Sequence, residues 1–383
     1  MVAFLLAGCE TVGFYQQAVS GQLGLLRDRV PVDQLLDSSE TSPELKARLA
    51  LSSEVLEFAE TELGLAAGGR YQTYVDLQRE SVVWNVFAAP QDSLDAQEWC
   101  YPIVGCAPYR GYFKQANAQA FAARLENQGL ETYVGGVPAY STLGWFDDPL
   151  LSSFVLWPEG DLVRLLIHEL AHSRIWVDGD VAFNESFAEF VALVGAPRWF
   201  QIHGREEHWQ KYLEARGDWR RFRAFLLASK TRLETYYQQS QVQAGQLGQA
   251  EQRGKSRSDS KSMMMAAIRD CYQHHRSVLG GGRFDGVMAQ LNNAYFVTIS
   301  TYSDWIPGFR ALYASADGDI ELFYTSVAAL GQLPQQARDA RLSELVEQSR
   351  RQEQVDNPGD HDSAQQIQCE PFFNHGLNLQ PAG

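Results

Sequence analysis

The run Leu165-Leu166-Ile167-His168-Glu169-Leu170-Ala171-His172 constrains the fold of this chain more than any other segment. Its apolar residues predict a buried helix, yet two imidazoles and a carboxylate lie among them, and buried polar groups need partners to offset their desolvation. Residues four apart on a helix share a face, so His168 and His172 can offer two nitrogens to one metal ion while Glu169 points beside it. A second element must then fold over this face. Asn184-Glu185-Ser186-Phe187-Ala188 opens a new apolar helix shortly afterwards, where the Glu185 carboxylate can reach back as a third ligand. Two His and one Glu leave a fourth position for water, the pattern of a zinc hydrolase, and zinc is the expected cofactor. The alternative is a pair of core histidines satisfied by their neighbours.

Between the two helices, Ile175 to Phe183 contains Asp178-Gly179, a tight-turn signal. A small hairpin there would reverse the chain and carry Glu185 over the histidines. Glu189, one helical turn beyond Glu185, is the competing ligand.

His-Glu-Leu-Ala-His followed by Asn-Glu-Ser-Phe-Ala resembles the gluzincin metallopeptidases, whose aminopeptidase branch carries Asn-Glu-Gly-Phe-Ala. The resemblance implies that His168, His172 and Glu185 hold zinc and that Glu169 is the general base. It also favours Glu185 over Glu189. The twelve residues between His172 and Glu185 form a shorter spacer than that branch has, and no Gly-Ala-Met-Glu-Asn segment is present. A wider match rests on Leu6-Ala7-Gly8-Cys9, Tyr101-Pro102-Ile103-Val104-Gly105-Cys106, the histidine motif and Leu291-Asn292-Asn293-Ala294. Together these resemble the predicted aminopeptidase family of proteobacterial lipoproteins. The expected fold is therefore α+β and mostly helical, a zincin-like metallopeptidase with a small sheet and a helical C-terminal lobe. Gluzincins commonly place an oxyanion-stabilising tyrosine on a later helical region, which points to Tyr302, with Tyr295 as the alternative. The edge strand that zincins use to align an extended substrate is expected at Val137 to Leu143, and the loop Gly144-Trp145-Phe146-Asp147-Asp148-Pro149 beside it.

The expected substrate is a peptide. Two other classes remain open: a zinc-binding periplasmic lipoprotein with a scaffold or binding role, and a hydrolase of nonpeptide amides or esters. The intact Glu169 counts against the scaffold, since a structural site needs no base. A net charge of -15 argues against nucleic acid, whose binding rests on neutralising phosphates with Lys and Arg.

Val2 to Gly8 is apolar and ends in Leu6-Ala7-Gly8-Cys9, which resembles a lipobox in which Cys9 becomes the lipid-bearing residue. No Lys or Arg precedes it and the apolar run is short, as expected of a truncated or misassigned start. Lipidation would anchor the protein on the periplasm-facing side of a membrane, and Glu10 after the cysteine favours the bacterial outer membrane. No later apolar run approaches the roughly 20 residues needed to span a bilayer. The other cysteines are even in number, as expected where disulfides persist; Cys100 and Cys106 could close a small loop and Cys271 and Cys369 tie the C-terminal tail to a helix, with the connectivity left open by the sequence.

The 383 residues, 45% of them hydrophobic, can bury a large core and show no obvious linker. The expected organisation is a signal remnant over 1–9, one two-lobed catalytic domain over 10–350 with its zinc site at 165–190, and a polar tail over 351–383. Periodicity predicts a helix from Ser42-Pro43 to about Leu63, strands at Tyr71 to Val75 and Val82 to Ala88, a helix from Phe113 to Leu125, and a strand from Glu131 to Ser141. Trp199 to Tyr237 reads as helix with a solvated charged face, and Gln238 to Ser262 as a mobile connector or frayed helical hairpin. Met263 to Met265 read as core filling, and His203, His208, His274 and His275 carry no expected role.

Overall fold

Ser42-Pro43 starts a helix as its sequence predicts. The Ser42 hydroxyl accepts the Leu45 backbone N–H at 3.2 Å, and Pro43 occupies the first turn, where no N–H is required. In the computed structural model of the chain this helix, Pro43–Leu63, stops at Gly64, whose φ of +62° suits a residue without a Cβ. The structure describes residues 2–101, 105–139, 147–246, 250–300, 305–356, 367, 369 and 372.

In chain order, α1 (Val2–Arg27), β1 (Val30–Pro31) and α2 (Val32–Asp37) precede α3 (Pro43–Leu63). Strands follow: β2 (Thr73–Val75), β3 (Val83–Pro90), β4 (Trp99–Tyr101), β5 (Gly105–Ala107) and β6 (Tyr109–Tyr112). Next come α4 (Gln115–Glu126), β7 (Leu130–Val137) and β8 (Leu150–Leu151). From there the chain is helical, through α5 (Glu159–Ala171), α6 (Val181–Ile202), α7 (Glu206–Gln246), α8 (Ala250–His274) and α9 (Asp285–Gln290). It continues with α10 (Asn293–Ser300), α11 (Ile306–Ser315), α12 (Ile320–Gly331) and α13 (Gln335–Asp356). The fold is α+β and mostly helical, with small sheets.

β1 pairs antiparallel with β2, and β2 pairs in parallel with β8, so one small sheet leads into α5. A second sheet, in the order β6-β3-β7, is wholly antiparallel. The hairpin β4–β5 is closed by the Cys100–Cys106 disulfide. β2 begins two residues later than expected because Tyr71 has φ +61°, outside the extended region. β7 ends at Val137, earlier than expected, and packs against α4 and α10. Of the expected substrate strand only Val137 to Ala139 is described, and both of those ends touch the core that contains α5; the remainder, with Gly144-Trp145-Phe146, lies outside the described residues.

Two large cores organise the helices. The first buries the inner faces of α3, α5 and α6 against α11, α12 and α13. Phe183, Phe187 and Phe190 on α6 meet Phe309 and Phe323, with Phe183–Phe309 and Phe190–Phe323 centroids 5.3 and 5.2 Å apart. Gly195 lets α6 approach closely, since a Cβ there would lie 2.6 Å from Leu63 Cδ1 and 3.2 Å from Ile167 Cγ2. The second core joins α7 to α10, with Phe222 and Phe284 stacked 4.1 Å apart and the Cys271–Cys369 disulfide inside it.

Asn293 latches this second core to the strands. It is fully buried; its amide donates to the Pro90 and Ser93 carbonyls at 2.8 and 2.9 Å, and its oxygen accepts the Tyr237 hydroxyl at 3.0 Å. The Asn292-Asn293 pair is thus a packing feature. Met264 and Met265 fill this core as expected, whereas Met263 is exposed. The expected Trp199–Tyr237 helix is interrupted between α6 and α7, where Gly204 has φ +64°. Helix α13 extends past Arg350 to Asp356, into the segment expected as a polar tail. Among the described residues no helix is long and apolar enough to cross a membrane.

Candidate metal centre

Helix α5 opens with Glu159 and Asp161 in its first turn, where negative charge favours the helix dipole. Leu162, Val163, Leu166, Ile167 and Leu170 form its buried stripe, each large side chain worth about 1.5–3 kcal/mol on burial. This anchoring fixes the adjacent face, on which His168 and His172 stand with ring centroids 4.9 Å apart.

The reversal after α5 occurs where expected, through a turn with Gly179 at φ +77°, but without strand pairing. Two side chains shape it. Asp180 caps α6 by accepting the Phe183 N–H at 3.0 Å. Asn184, fully buried, accepts the Val177 N–H and donates to the Val177 carbonyl, both at 2.8 Å. This two-way clasp explains why an asparagine precedes the glutamate: it locks the loop against the first turn of α6 and so fixes where Glu185 points.

Glu185 lands between the histidines. Its Oε2 lies 3.4 Å from His168 Nε2 and its Oε1 lies 3.7 Å from His172 Nε2. Donor atoms of His168, His172 and Glu185 all fall within 4.8 Å of one another. Two ligands about 2.1 Å from one ion at a tetrahedral angle lie about 3.4 Å apart, so this spacing fits a shared cation. The competing residue faces elsewhere. Glu189 Oε2 lies 3.6 Å from His168 Nδ1, on the far side of the ring, and pairs with the guanidinium of Arg164. That is the position of a carboxylate that orients a ligand histidine.

The charges are balanced in the same sense. Burial disfavours a charged His168, but the facing Glu185 and Glu189 carboxylates outweigh it and push its pKa up to about 10. Burial and the neighbouring His168 lower His172 to about 4, leaving a neutral imidazole. Its Nδ1 is buried without a hydrogen-bond partner. Burial likewise works against Glu189, yet His168 and Arg164 hold its carboxyl down at about 2. Two ionised carboxylates thus surround one imidazole that must be protonated to answer them, and a cation could replace that proton.

Burial pushes Glu169 up to about 7, with Glu185 and Asp148 adding to the rise and His168 opposing it. A carboxylate with its pKa near neutrality is suited to taking and returning a proton. Trp176, partly exposed, packs edge-on against His172 with centroids 5.7 Å apart. Tyr302 lies outside the described residues. Tyr295 is committed elsewhere: it packs against Tyr133 at 4.8 Å in the second core, away from the core containing the histidine helix. His203 stacks on Trp199, and His208 Nδ1 lies 3.1 Å from Glu159 Oε2. The residues unforeseen from sequence are Asn184 as the clasp, Arg164 and Glu189 behind His168, and Asp148.

No curated protein and no solved structure matches the chain. The family described as "Putative aminopeptidase" matches residues 13–342, which takes in α5, the loop and α6. The match covers most of the sequence, and the chain belongs to this aminopeptidase family.

Proposed function

We propose that the protein is a zinc-dependent peptide hydrolase acting as an aminopeptidase, with His168, His172 and Glu185 as the metal ligands and Glu169 as the general base. The convergence of three donor atoms within 4.8 Å carries the reading. Membership of the aminopeptidase family supports a peptide substrate. When bound, zinc supplies Lewis acidity to a carbonyl and a water. Glu169 accepts the proton of the attacking water and returns it to the leaving amine. Glu189, backed by Arg164, holds the His168 ring in the tautomer that presents Nε2. Tyr302 donates to the developing oxyanion; in its favour, Trp305, three residues later, donates its backbone N–H to Ser186 beside Glu185 at 3.4 Å. Lipidation of Cys9 would place the enzyme on the periplasmic side of the outer membrane, a location that accords with two disulfides.

The test is a pair of variants on a panel of free and blocked aminoacyl peptides. His172→Ala should lose most of its zinc by elemental analysis. Glu169→Gln should retain zinc and lose turnover by several orders of magnitude. Wild-type zinc content in the first, or near-normal turnover in the second, removes the corresponding assignment.

A further inference from the structure

Among the described tryptophans Trp176 alone is exposed, at 36%, while the others are buried or half-buried. Its direction follows from its neighbours. Ile175 and Val177 both pack against the core around α5 and α6, and the residue between them turns outward. Outward here means beside the donor cluster, because the indole ring lies 5.7 Å from the His172 ring at an interplanar angle of 73°. The His172 side chain is only 6% exposed, whereas those of His168 and Glu185 keep 16% and 22%. Trp176 thus forms a wall at the His172 end of a cluster that still opens to solvent.

The loop that carries this ring is pinned on both sides. Val177 is held in both directions by Asn184, and its carbonyl also accepts the Asp180 N–H at 3.2 Å. Two residues before the tryptophan, Arg174 donates to the Glu321 carboxylate at 2.5 Å and lies 4.9 Å over the Tyr324 ring, which ties the loop to α12. Three residues after it, Gly179 lies close to the disulfide-closed hairpin, its Cα 3.5 Å from where a Cβ on Gly105 would stand. An indole left in water forgoes a large gain from burial. On a backbone already fixed, however, it loses little freedom when a ligand covers it, and a rigid aromatic surface of this kind is a favoured anchor in recognition.

We propose that Trp176 determines specificity: its ring receives the side chain of the substrate's amino-terminal residue, and the substrates are peptides that begin with an aromatic or large aliphatic residue. The proposal rests on the aminopeptidase reading above. An enzyme that removes single residues holds only one residue on the amino side of the scissile bond, so the side chain of that residue needs a firm surface close to the metal. Trp176 offers such a surface against a ligand histidine. An alanine side chain is too short to cover the indole and gains little from it, whereas a phenylalanine or leucine side chain removes apolar surface from water on both partners.

The experiment measures kcat/KM of the zinc-loaded wild type, Trp176→Ala and Trp176→Phe on the dipeptides Phe-Ala, Leu-Ala, Ala-Ala and Ala-Phe. The wild type should prefer Phe-Ala and Leu-Ala to Ala-Ala by roughly thirtyfold, a ratio within reach of one apolar contact. In Trp176→Ala that preference should shrink to about threefold, mainly through KM, with the zinc content and melting temperature of the wild type. Trp176→Phe, which restores an aromatic face, should recover most of it. Equal losses on all four peptides would mark Trp176 as a cover for His172 and overturn the proposal. A wild type indifferent to the first residue, or one that prefers Ala-Phe alone, overturns it too. Either result leaves the aminopeptidase reading standing, because the peptides are still cleaved; a wild type that cleaves none of a wider peptide panel removes that reading and this inference together.

Discussion

Replacing Asn184 by alanine removes both halves of the clasp on Val177 and leaves a backbone N–H and a carbonyl in a partly buried turn without partners. Each lost hydrogen bond is worth about 1 kcal/mol net, and an orphaned buried group costs about 1–3 kcal/mol, so the turn should lose roughly 2–3 kcal/mol. The loss bears on Glu185 because the side chain that closes the turn is the residue before it. If the clasp presets Glu185, binding zinc must restore the order, and 2 kcal/mol taken from binding weakens zinc about thirtyfold at 1.4 kcal/mol per decade. Competition with a chromophoric chelator measures that ratio directly. The control is Thr61→Ala, which removes an exposed helix-surface hydroxyl bonded to the Glu57 carbonyl and should leave zinc affinity unchanged. A melting temperature lowered in Asn184→Ala with wild-type zinc affinity would refute the argument, since the clasp would then serve stability alone.

Three further outcomes can be measured with the same protein. Glu189→Gln should keep the fold but weaken zinc by about ten- to a hundredfold, the usual loss when the partner of a ligand histidine is removed; unchanged affinity would leave Glu189 without an orienting part. Arg338 on α13 donates to the Asp180 carboxylate at 2.9 and 2.6 Å with both side chains almost wholly buried. Arg338→Met should therefore cost about 3–5 kcal/mol in chemical denaturation by stranding Asp180, and adding Asp180→Asn should recover much of it; a loss below 1 kcal/mol would contradict the pairing. Expressed behind a complete export signal, the wild type should fractionate with membranes and Cys9→Ser should be released, and an unlipidated wild type by mass spectrometry would dismiss the anchor.

What could be read in advance is what depends on local spacing. His168 and His172 share a face because they are four apart, and the capped start at Ser42-Pro43 is a matter of a few adjacent residues. The even number of cysteines beyond Cys9 announces disulfides, while the choice of Cys100–Cys106 and Cys271–Cys369 among the possible pairings comes from the structure. Sequence context prefers Glu185 to Glu189, and in the structure the two carboxylates face opposite nitrogens of the His168 ring. The strand at Tyr71 was misplaced because nothing in an aromatic, β-favouring residue announces a left-handed φ imposed by a distant carbonyl. The clasp of Asn184 was hidden for a related reason. An asparagine before a glutamate reads as a helix cap, but here Asp180 caps the helix and Asn184 turns back on the loop. Pairing Asp180 with Arg338 requires knowing which of many arginines arrives from 158 residues away.

That last pairing bears on the order in which the molecule is assembled. The core around α5 and α6 is completed by α11, α12 and α13, while α7 to α10 build a separate core from the sequence in between. The Tyr324 hydroxyl reaches the Leu63 carbonyl across 261 residues, and Arg338 reaches the cap of the helix bearing Glu185 across 158. During synthesis the histidine helix and the Glu185 helix emerge long before the arginine that pairs with Asp180, so the early chain carries an uncompensated charge beside the turn where Glu185 must settle. Contacts this distant in sequence form late, because a long loop must close before they return any energy. If His168, His172 and Glu185 hold a metal as proposed, that group should therefore mature only near the end of folding, and a chain halted before α13 should hold metal poorly even though all three residues are already present.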